Sequence, residues 1–288
     1  MSLISFSRDK FIPSDEVSLL VKDNYLGVVR GYQVFTFLKT VNNGKPVFLY
    51  DHIDRIFANA AEMNMKLSHS KDEVISLVLQ TIQKNDFTKS ECNIMIIFSG
   101  TIPSDNSGLI SDNPVDIFII TSKIKIYPKI SYENGISLGL FEYERIDGQI
   151  KSPFTYYGGM KAQQSLVKSG KFDEVIYTSN GQILEGTTFS FFGVKNDTVI
   201  TPKSDGRILG SVTRKAILAL MKEHNIMHTE STVRTEDIKD FSEAFIASAN
   251  RDLIPVVSIN NIQIGDGKVN EKYHQLMNLY SKKIHDKN

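Results

Sequence analysis

The segment DEVIYTSNGQILEGTTFSFFGV (173–194) is the feature that most restricts how this chain can fold. Two apolar runs flank Asn180-Gly181, a pair suited to the positive φ angles of a tight turn, so the segment predicts a β-hairpin. Other apolar runs, such as NIMIIFSG (93–100), are typical of buried strands. Between them lie amphipathic helices, one of which carries Ile53, Ile56, Phe57 and Ala60 on a single apolar stripe. This mixture predicts an α/β (α+β) protein.

The length of 288 residues fits one large domain or two moderate ones. The stretch TSKIKIYPKI (121–130) changes in character and contains Pro128, which favours a connection there. We therefore expect a smaller N-terminal α/β domain at 1–122, a connection at 123–130 and a larger C-terminal domain at 131–288.

Composition excludes several classes of function. The 33 basic and 33 acidic residues cancel, so no overall field favours nucleic acid or an anionic membrane. No run of about 18 apolar residues is present, and the start MSLISFSRDKF lacks a signal-peptide pattern. The single cysteine, Cys92, fits a reducing compartment. We expect a cytoplasmic protein with neither a nucleic-acid nor a membrane partner.

Common site signatures are absent from the sequence: there is no GxxxxGKS/T loop, no GxGxxG after a strand, no CxxC and no GxSxG. His224 and His228 have i, i+4 spacing, but their helix is expected to end between them and no third ligand is evident. We expect no metal site.

Separated segments nevertheless supply an amine, a carboxylate and a phosphate cradle. Lys151 precedes the flexible SPFTYYGG, Glu185 closes the second hairpin strand, and LGSVTRK (209–215) opens a helix whose N–H groups favour a phosphate. Arg55 lies off the apolar stripe of its helix and can bind an anion. These groups are what pyridoxal phosphate requires, although each also has an ordinary structural role and the spacing alone does not prove the cofactor.

The order of these segments resembles that of the class IV (fold type IV) pyridoxal-phosphate aminotransferases. This family includes branched-chain and D-amino-acid aminotransferases and aminodeoxychorismate lyase. The resemblance runs nearly end to end and is carried by five stretches: GYQVFTFLKT to FLYDHIDRIFANAAEM, IKSPFTYYGGMKAQQSLVKSG, DEVIYTSNGQILEGTTFSFFGV, TPKSDGRILGSVTRKAIL and EAFIASANRDLIPV. It implies a two-domain fold with the cofactor between the domains.

The resemblance implies roles for Lys151 and for the residues that follow it. Lys151 matches the Schiff-base lysine, which also moves the proton between the substrate Cα and the cofactor C4′. Tyr156 matches the tyrosine that hydrogen-bonds the phenolic oxygen of the cofactor, and Tyr157 is its competitor if the register differs by one. Lys161 falls in the following helix and is expected to be a surface charge.

The remaining cofactor contacts also follow from the resemblance. Glu185 matches the acid that faces the pyridine nitrogen, and Arg55 matches the phosphate-binding arginine. Val212 and Thr213 match the helix-start residues that bind phosphate. Ala249 stands where relatives have a residue whose side-chain hydroxyl contacts the phosphate. Losing one neutral hydrogen bond costs about 0.5–1.5 kcal/mol, so we expect cofactor binding to survive.

Departures from the family pattern fall at the expected substrate pocket, where we place Arg30, Phe35, Thr36, Asn250 and Arg251. Thr36 replaces a glutamate found in many members, and a threonine there also occurs in aminodeoxychorismate lyases. Arg251 has two possible orientations: inward, where it could bind a second carboxylate or narrow the pocket, and outward, as a surface charge. Phe98-Ser99 replace the carboxylate-binding arginine of D-amino-acid enzymes, which disfavours a D-amino-acid specialist.

We therefore expect an aminotransferase that moves an amino group between a branched-chain-like amino acid and a 2-oxo acid in a ping-pong cycle. The resemblance also implies a homodimer. One alternative is a lyase that releases pyruvate from 4-amino-4-deoxychorismate, which Thr36 favours, whereas Tyr156 favours the branched-chain type. A second alternative is a non-catalytic relative, which the unusual residues 249–251 leave open.

Overall fold

A computed structural model describes residues 3–87, 91–105 and 108–286. The chain divides into two compact units. The first comprises Met1–Lys125 with Ile150–Phe154, and the second comprises Ile126–Gln149 with Thr155–Asn288. Each unit contains one sheet and several helices, which confirms the expected mixed α/β architecture.

The first unit is built on a six-stranded antiparallel sheet with the strand order β2-β1-β6-β5-β3-β4. Its strands are β1 Ile4–Ser7, β2 Lys10–Pro13, β3 Gln33–Val41, β4 Lys45–Pro46, β5 Cys92–Ser99 and β6 Asp116–Lys123. Its helices are a 3-10 turn at Ser14–Glu16, α1 Tyr25–Arg30, α2 Leu49–Glu62 and α3 Lys71–Lys84.

Helix positions in the first unit follow from apolar periodicity and capping. The predicted stripe of α2 is confirmed, because Ile53, Ile56 and Ala60 are buried in the core of this unit. Helix α3 begins with a reciprocal capping box: the Ser70 hydroxyl accepts from the Glu73 N–H, and the Glu73 carboxylate accepts from the Ser70 N–H at 2.7 Å. Such a cap contributes about 1 kcal/mol to helix stability.

The second unit contains a larger mixed sheet with the order β12-β11-β10-β14-β15-β7-β8-β9-β13, and β16 pairs with β15. Its strands are β7 Ile136–Glu142, β8 Glu174–Ser179, β9 Gln182–Gly186, β10 Ser190–Lys195, β11 Thr198–Pro202, β12 His228–Ser231, β13 Val233–Arg234, β14 Glu243–Ser248, β15 Asp252–Ile259 and β16 Ile262–Gln263. The pairs β7/β8, β7/β15 and β11/β12 are parallel, and the other pairs are antiparallel.

Helices of the second unit include α4 Lys129–Glu133, α5 Tyr157–Ala162, α6 Val212–Glu223 and α7 Glu271–His285, with a π-helical turn at Gln163–Val167 and a 3-10 turn at Thr235–Asp240. A further 3-10 turn spans Pro153–Tyr156. The carboxylate of Glu243 accepts the N–H groups of Lys272 and Tyr273 at 3.0 and 2.9 Å, so a strand side chain caps α7.

The hairpin predicted from the sequence is present as β8 and β9. Asn180 and Gly181 connect the two strands at φ angles of 50° and 71°. Glu185 lies one residue before the end of β9, so this turn sets the position of the carboxylate along the sheet.

The positions of the histidines, the acidic residues and the helices bear on whether the described residues could bind a metal ion or cross a membrane. Helix α6 ends at Glu223, and His228 lies in β12, so the two histidines belong to different elements. Within residues 3–87, 91–105 and 108–286, no cluster of three or more His, Cys, Asp or Glu side chains could hold a metal ion. Among the helices of these same ranges, none combines the length and apolar character needed to cross a bilayer.

Candidate active site

Lys151 lies in the short segment Ile150–Phe154 of the first unit, where both of its peptide groups are hydrogen-bonded. Its N–H donates to Asn59 Oδ1 of α2 at 2.9 Å, and its carbonyl accepts the Phe35 N–H of β3 at 3.0 Å. The Lys151 Nζ atom lies 4.8 Å from the centroid of the Phe35 ring. The lysine backbone is thus fixed from two elements, and only side-chain torsions remain to move the amine.

Arg55 is oriented by a chain of polar side chains in the same unit. Its Nη2 atom donates to Thr36 Oγ1 at 2.8 Å, and Thr36 Oγ1 lies 2.7 Å from His52 Nδ1. Thr36 and His52 are both buried. A hydroxyl that accepts from a guanidinium keeps its own proton to donate, so a neutral imidazole accepting at Nδ1 completes the chain.

The environment of His52 favours that neutral form. Burial is the main cause, and the positive charges of Arg55 and Lys151 add to it, so the pKa of His52 lies well below its ordinary value of 6.5. A protonated ring could not accept the Thr36 hydrogen bond. Because His52 stays neutral, Thr36 can hold Arg55 in one orientation.

Glu185 is buried near the end of β9 and contacts two groups of the second unit. Its Oε2 atom accepts the Leu209 N–H at 3.2 Å, and its Oε1 atom lies 3.4 Å from Arg145 Nη1 in an ion pair. Leu209 belongs to the loop that precedes α6. The carboxylate therefore ties the hairpin to the start of that helix.

Arg145 is anchored independently of the carboxylate. Its Nη2 atom donates to the carbonyl oxygens of Gly186 and Thr187 at 3.2 and 2.6 Å. Its Cζ atom lies 5.4 Å from the ring centroid of Tyr156 and 5.3 Å from that of Tyr177. The guanidinium is thus held between the end of β9 and two aromatic rings.

The start of α6 has the features of an anion site. Ser211 caps the helix, and its Oγ atom accepts the Arg214 N–H at 3.2 Å. The helix begins with Val212 and Thr213, which lie between the Ser211 cap and Arg214 in sequence, and both residues are buried. A Cβ atom added at Gly210 would meet no atom within 4 Å. First-turn N–H groups and the helix dipole therefore lie beside open space.

The loop after β14 is closed by polar contacts within the second unit. Ser248 Oγ donates to Asn250 Oδ1 at 3.0 Å, and Asn250 Nδ2 donates to Tyr127 Oη at 3.0 Å. Arg251 is only 8% exposed, and its Nη1 atom lies 2.7 Å from Glu174 Oε1. Arg251 is therefore not a surface charge, because its guanidinium is buried and is balanced by Glu174.

The expected site residues fall into two groups, one in each unit. In the first unit the structure brings together the residues Phe35, Thr36, Arg55 and Lys151. The second unit holds the residues Tyr156, Glu185, Val212, Thr213, Ala249, Asn250 and Arg251. Arg30 ends α1 and is exposed, with its Cζ atom 5.9 Å from the Tyr25 ring.

The neighbouring tyrosines of the lysine loop have different surroundings. Tyr156 is half-buried against Arg145, whereas Tyr157 is exposed and its ring lies 5.3 Å from Lys161 Nζ. Lys161 itself is exposed on α5, as expected for a surface charge.

Sequence reasoning missed three residues that the structure places at the site: His52, Asn59 and Arg145. The first two had a detectable signal, because His52, Arg55 and Asn59 follow at i, i+3 and i+7 on α2 and form a polar stripe. Arg145 has no such signal, since it lies in an irregular segment after β7 and its partners are distant in sequence.

Comparisons with known proteins identify a family of similar sequences. A family model described as amino-transferase class IV matches residues 33–259. A D-alanine aminotransferase of Staphylococcus haemolyticus is 26% identical over 282 residues, which covers 97% of both chains. A probable branched-chain-amino-acid aminotransferase of Aquifex aeolicus is 23% identical over 98% of this chain and 93% of the relative.

Solved structures of branched-chain aminotransferases share the fold. The enzyme from Thermoproteus uzoniensis superimposes with a TM-score of 0.89 at 18% identity, covering 99% of this chain and 95% of that one. The Escherichia coli enzyme superimposes with a TM-score of 0.87 at 20% identity, covering 98% of this chain and 94% of that one.

The neutrality of His52 predicts a specific pH dependence of stability. Its pKa is depressed in the folded state, so acidification below about pH 6.5 protonates His52 in the unfolded chain first and stabilises that state. Relative to His52→Gln, the wild type should lose about 1–2 kcal/mol of unfolding free energy between pH 7 and about pH 5. Because the chain has no tryptophan, urea unfolding is best followed by far-UV circular dichroism. Parallel stability curves for the two proteins would contradict the assignment.

Proposed function

The chain belongs to the class IV aminotransferases, which are pyridoxal-phosphate enzymes, and from this we propose its specific activity. We propose that it transfers an amino group between an amino acid with a branched apolar side chain and a 2-oxo acid. Lys151 is the residue that bonds to the cofactor and carries the proton. The observation on which the proposal rests is the fixed backbone of Lys151. The amine of this lysine lies beside the Phe35 ring, and the oriented Arg55 belongs to the same unit.

The side chains present fit the cofactor in chemical type. The buried Glu185 carboxylate suits a protonated ring nitrogen, and the α6 start with Thr213 suits a phosphate. In the first unit, Arg55, held by Thr36, is a cationic fork of the type that binds a phosphate. When bound, pyridoxal phosphate supplies an electron sink that makes the substrate Cα–H acidic.

Within this arrangement, Lys151 acts as the acid and base. Its amine would accept the proton from the substrate Cα and deliver it to the cofactor C4′ within the same half-reaction, which leaves the amino group on the cofactor. The other half-reaction would run this proton transfer in reverse with the 2-oxo acid. The two main-chain hydrogen bonds of Lys151 limit where the amine can go. That restriction favours a single face of the substrate for proton transfer.

Two features support an uncharged substrate side chain. The Phe35 ring lies next to the Lys151 amine and offers an apolar surface there. The Arg251 charge is compensated by Glu174, which disfavours Arg251 as a receptor for a second carboxylate. We therefore favour branched-chain amino acids over dicarboxylic ones.

Replacing Lys151 by Ala should lower kcat at least about a hundredfold, because the acid and base is lost. Borohydride reduction should attach the cofactor to a Lys151 peptide in the wild type and to no peptide in the variant, as read by mass spectrometry. Lys161→Ala is the matched control and should keep both activity and attachment, since this lysine is exposed on α5. Persistent turnover in Lys151→Ala would rule out the proposed base.

A substrate panel tests the proposed specificity. We expect leucine, isoleucine and valine in the L form to be converted with 2-oxoglutarate at kcat/KM values at least about tenfold above those for D-alanine and L-aspartate, a difference of about 1.4 kcal/mol. Preferential use of D-alanine would instead assign the activity named for the staphylococcal relative. Pyruvate release from aminodeoxychorismate without an acceptor would assign a lyase.

We also propose a cytoplasmic homodimer, with the first unit supplying a contact surface. Six large apolar side chains between Leu19 and Val29 are 36–54% exposed, whereas Leu26 is buried. Their positions are Leu19, Leu20, Val21, Tyr25, Val28 and Val29. Such a concentration of exposed apolar groups is typical of a protein–protein interface.

The double variant Val28→Glu/Val29→Glu should therefore be a monomer where the wild type is a dimer, because two charges would be buried in the contact. Light scattering coupled to size-exclusion chromatography measures the mass directly. Met227→Glu is the control, since Met227 is 66% exposed and lies outside this surface. An unchanged dimer in the double variant would place the interface elsewhere.

A further inference from the structure

Arg145 is a buried cation that none of the roles above uses. Only 7% of the residue is exposed, and its charged partner, Glu185, is 4% exposed. Charged side chains are rarely buried this completely unless they are paired, and a buried ion pair is a poor source of stability because desolvation offsets the attraction. The position of Arg145 beside the proposed partner of the ring nitrogen therefore suggests a chemical role.

The guanidinium is a fixed charge. Two backbone carbonyls, those of Gly186 and Thr187, accept hydrogen bonds from its Nη2 atom. These carbonyls follow Glu185 directly in the chain, so the cation is attached to the same strand end as the carboxylate. Its other terminal nitrogen, Nη1, then lies 3.4 Å from Glu185 Oε1.

The same guanidinium also contacts the proposed partner of the phenolic oxygen. Its Cζ atom lies 5.4 Å from the Tyr156 ring centroid, within the range of a cation–π interaction. Tyr177 contacts it from a second direction at 5.3 Å. One side chain thus contacts Glu185, which the proposed function assigns to the ring nitrogen, and Tyr156, which the family resemblance assigns to the phenolic oxygen.

The charge state of Arg145 is secure. Burial by itself lowers the pKa of Arg145, but the Glu185 carboxylate, Tyr177 and Tyr156 outweigh it, and the pKa is raised overall. A buried carboxylate without a cation tends to take up a proton, because burial disfavours its charged form. A guanidinium at ion-pair distance opposes that tendency.

We propose that Arg145 is a positioning residue that holds Glu185 ionised and oriented, and so keeps the proton on the ring nitrogen of bound pyridoxal phosphate. This inference rests on the proposed function. Glu185 and the ring nitrogen share one proton, which lies either on the carboxylate or on the nitrogen. Because the fixed guanidinium stabilises the negative carboxylate, it favours the state in which the nitrogen is protonated.

The test uses the full-length protein loaded with pyridoxal phosphate that carries ¹⁵N at the ring nitrogen. The ¹⁵N chemical shift separates the protonated from the neutral ring and is followed as a function of pH. The wild type should remain protonated over the accessible range. Arg145→Gln should lose the protonated signal and show the neutral-ring shift within the pH range in which the wild type stays protonated. Arg145→Lys retains the charge and should keep the protonated signal.

Glu185→Gln and the double variant Arg145→Gln/Glu185→Gln complete the cycle. If Arg145 acts through Glu185, the double variant should behave as Glu185→Gln alone, with no further change in the shift. Lys195→Gln is the control, because Lys195 is also ion-paired, with its Nζ atom 3.2 Å from Asp237 Oδ1 and 2.9 Å from Asp240 Oδ2, and lies outside the segments assigned to the cofactor. It should lower stability without altering the ring signal.

The inference is overturned if Glu185→Gln loses the protonated signal while Arg145→Gln keeps it. Should Arg145→Gln fail to fold, Arg145→Lys decides: a protonated ring supports the role of the charge, and a ring as neutral as in Glu185→Gln contradicts it. Failure of the proposed function looks different, since the wild type would then bind no pyridoxal phosphate or would not bond to it through Lys151.

Discussion

The attachment of Lys151 to β3 and α2 is the constraint on which the proposed chemistry depends. The lysine segment belongs to the first unit, although the chain on both sides of it belongs to the second. Its peptide N–H and carbonyl are used by Asn59 and Phe35, so the backbone cannot shift without breaking two hydrogen bonds. Each is worth about 0.5–1.5 kcal/mol, and any polar group left buried costs more. The backbone position from which the amine extends is therefore set by β3 and α2.

Charge is distributed so that each unit has a different task. In the first unit, a neutral His52 allows Thr36 to orient the Arg55 guanidinium. In the second unit, a carboxylate is held by a guanidinium at the end of β9. The first arrangement suits an anionic group, and the second suits a cationic one.

Local patterns in the sequence predicted the elements that carry the site. The Asn180-Gly181 turn predicted the β8–β9 hairpin, because only a few residue pairs tolerate its φ angles. Apolar spacing predicted α2, and Ser211 marked the start of α6. These features depend on neighbours within a few residues, so the sequence displays them directly.

Interactions between distant residues were not predictable in this way. The partner of Arg251 is Glu174, at the start of a strand far earlier in the chain, so the sequence did not show which residue would pair with the buried guanidinium. Arg145 was overlooked for the same reason, because its role depends on where β9 ends after folding. A buried charge has no periodicity of its own, and its partner is chosen by the topology of the sheet.

The loop that follows β14 contains Arg251, whose ion pair with the distant Glu174 determines whether its charge is available to a ligand. Arg251 is buried between the rings of Tyr127 and Phe189, with its Cζ atom 4.9 and 5.8 Å from their centroids. Its carbonyl also accepts the Tyr132 hydroxyl at 3.1 Å. A guanidinium packed and paired in this way holds the loop closed instead of offering a charge to a ligand. The unusual residues at 250 and 251 are thus compatible with an uncharged substrate side chain, because the Asn250 amide is hydrogen-bonded and the Arg251 charge is paired with Glu174 within the protein.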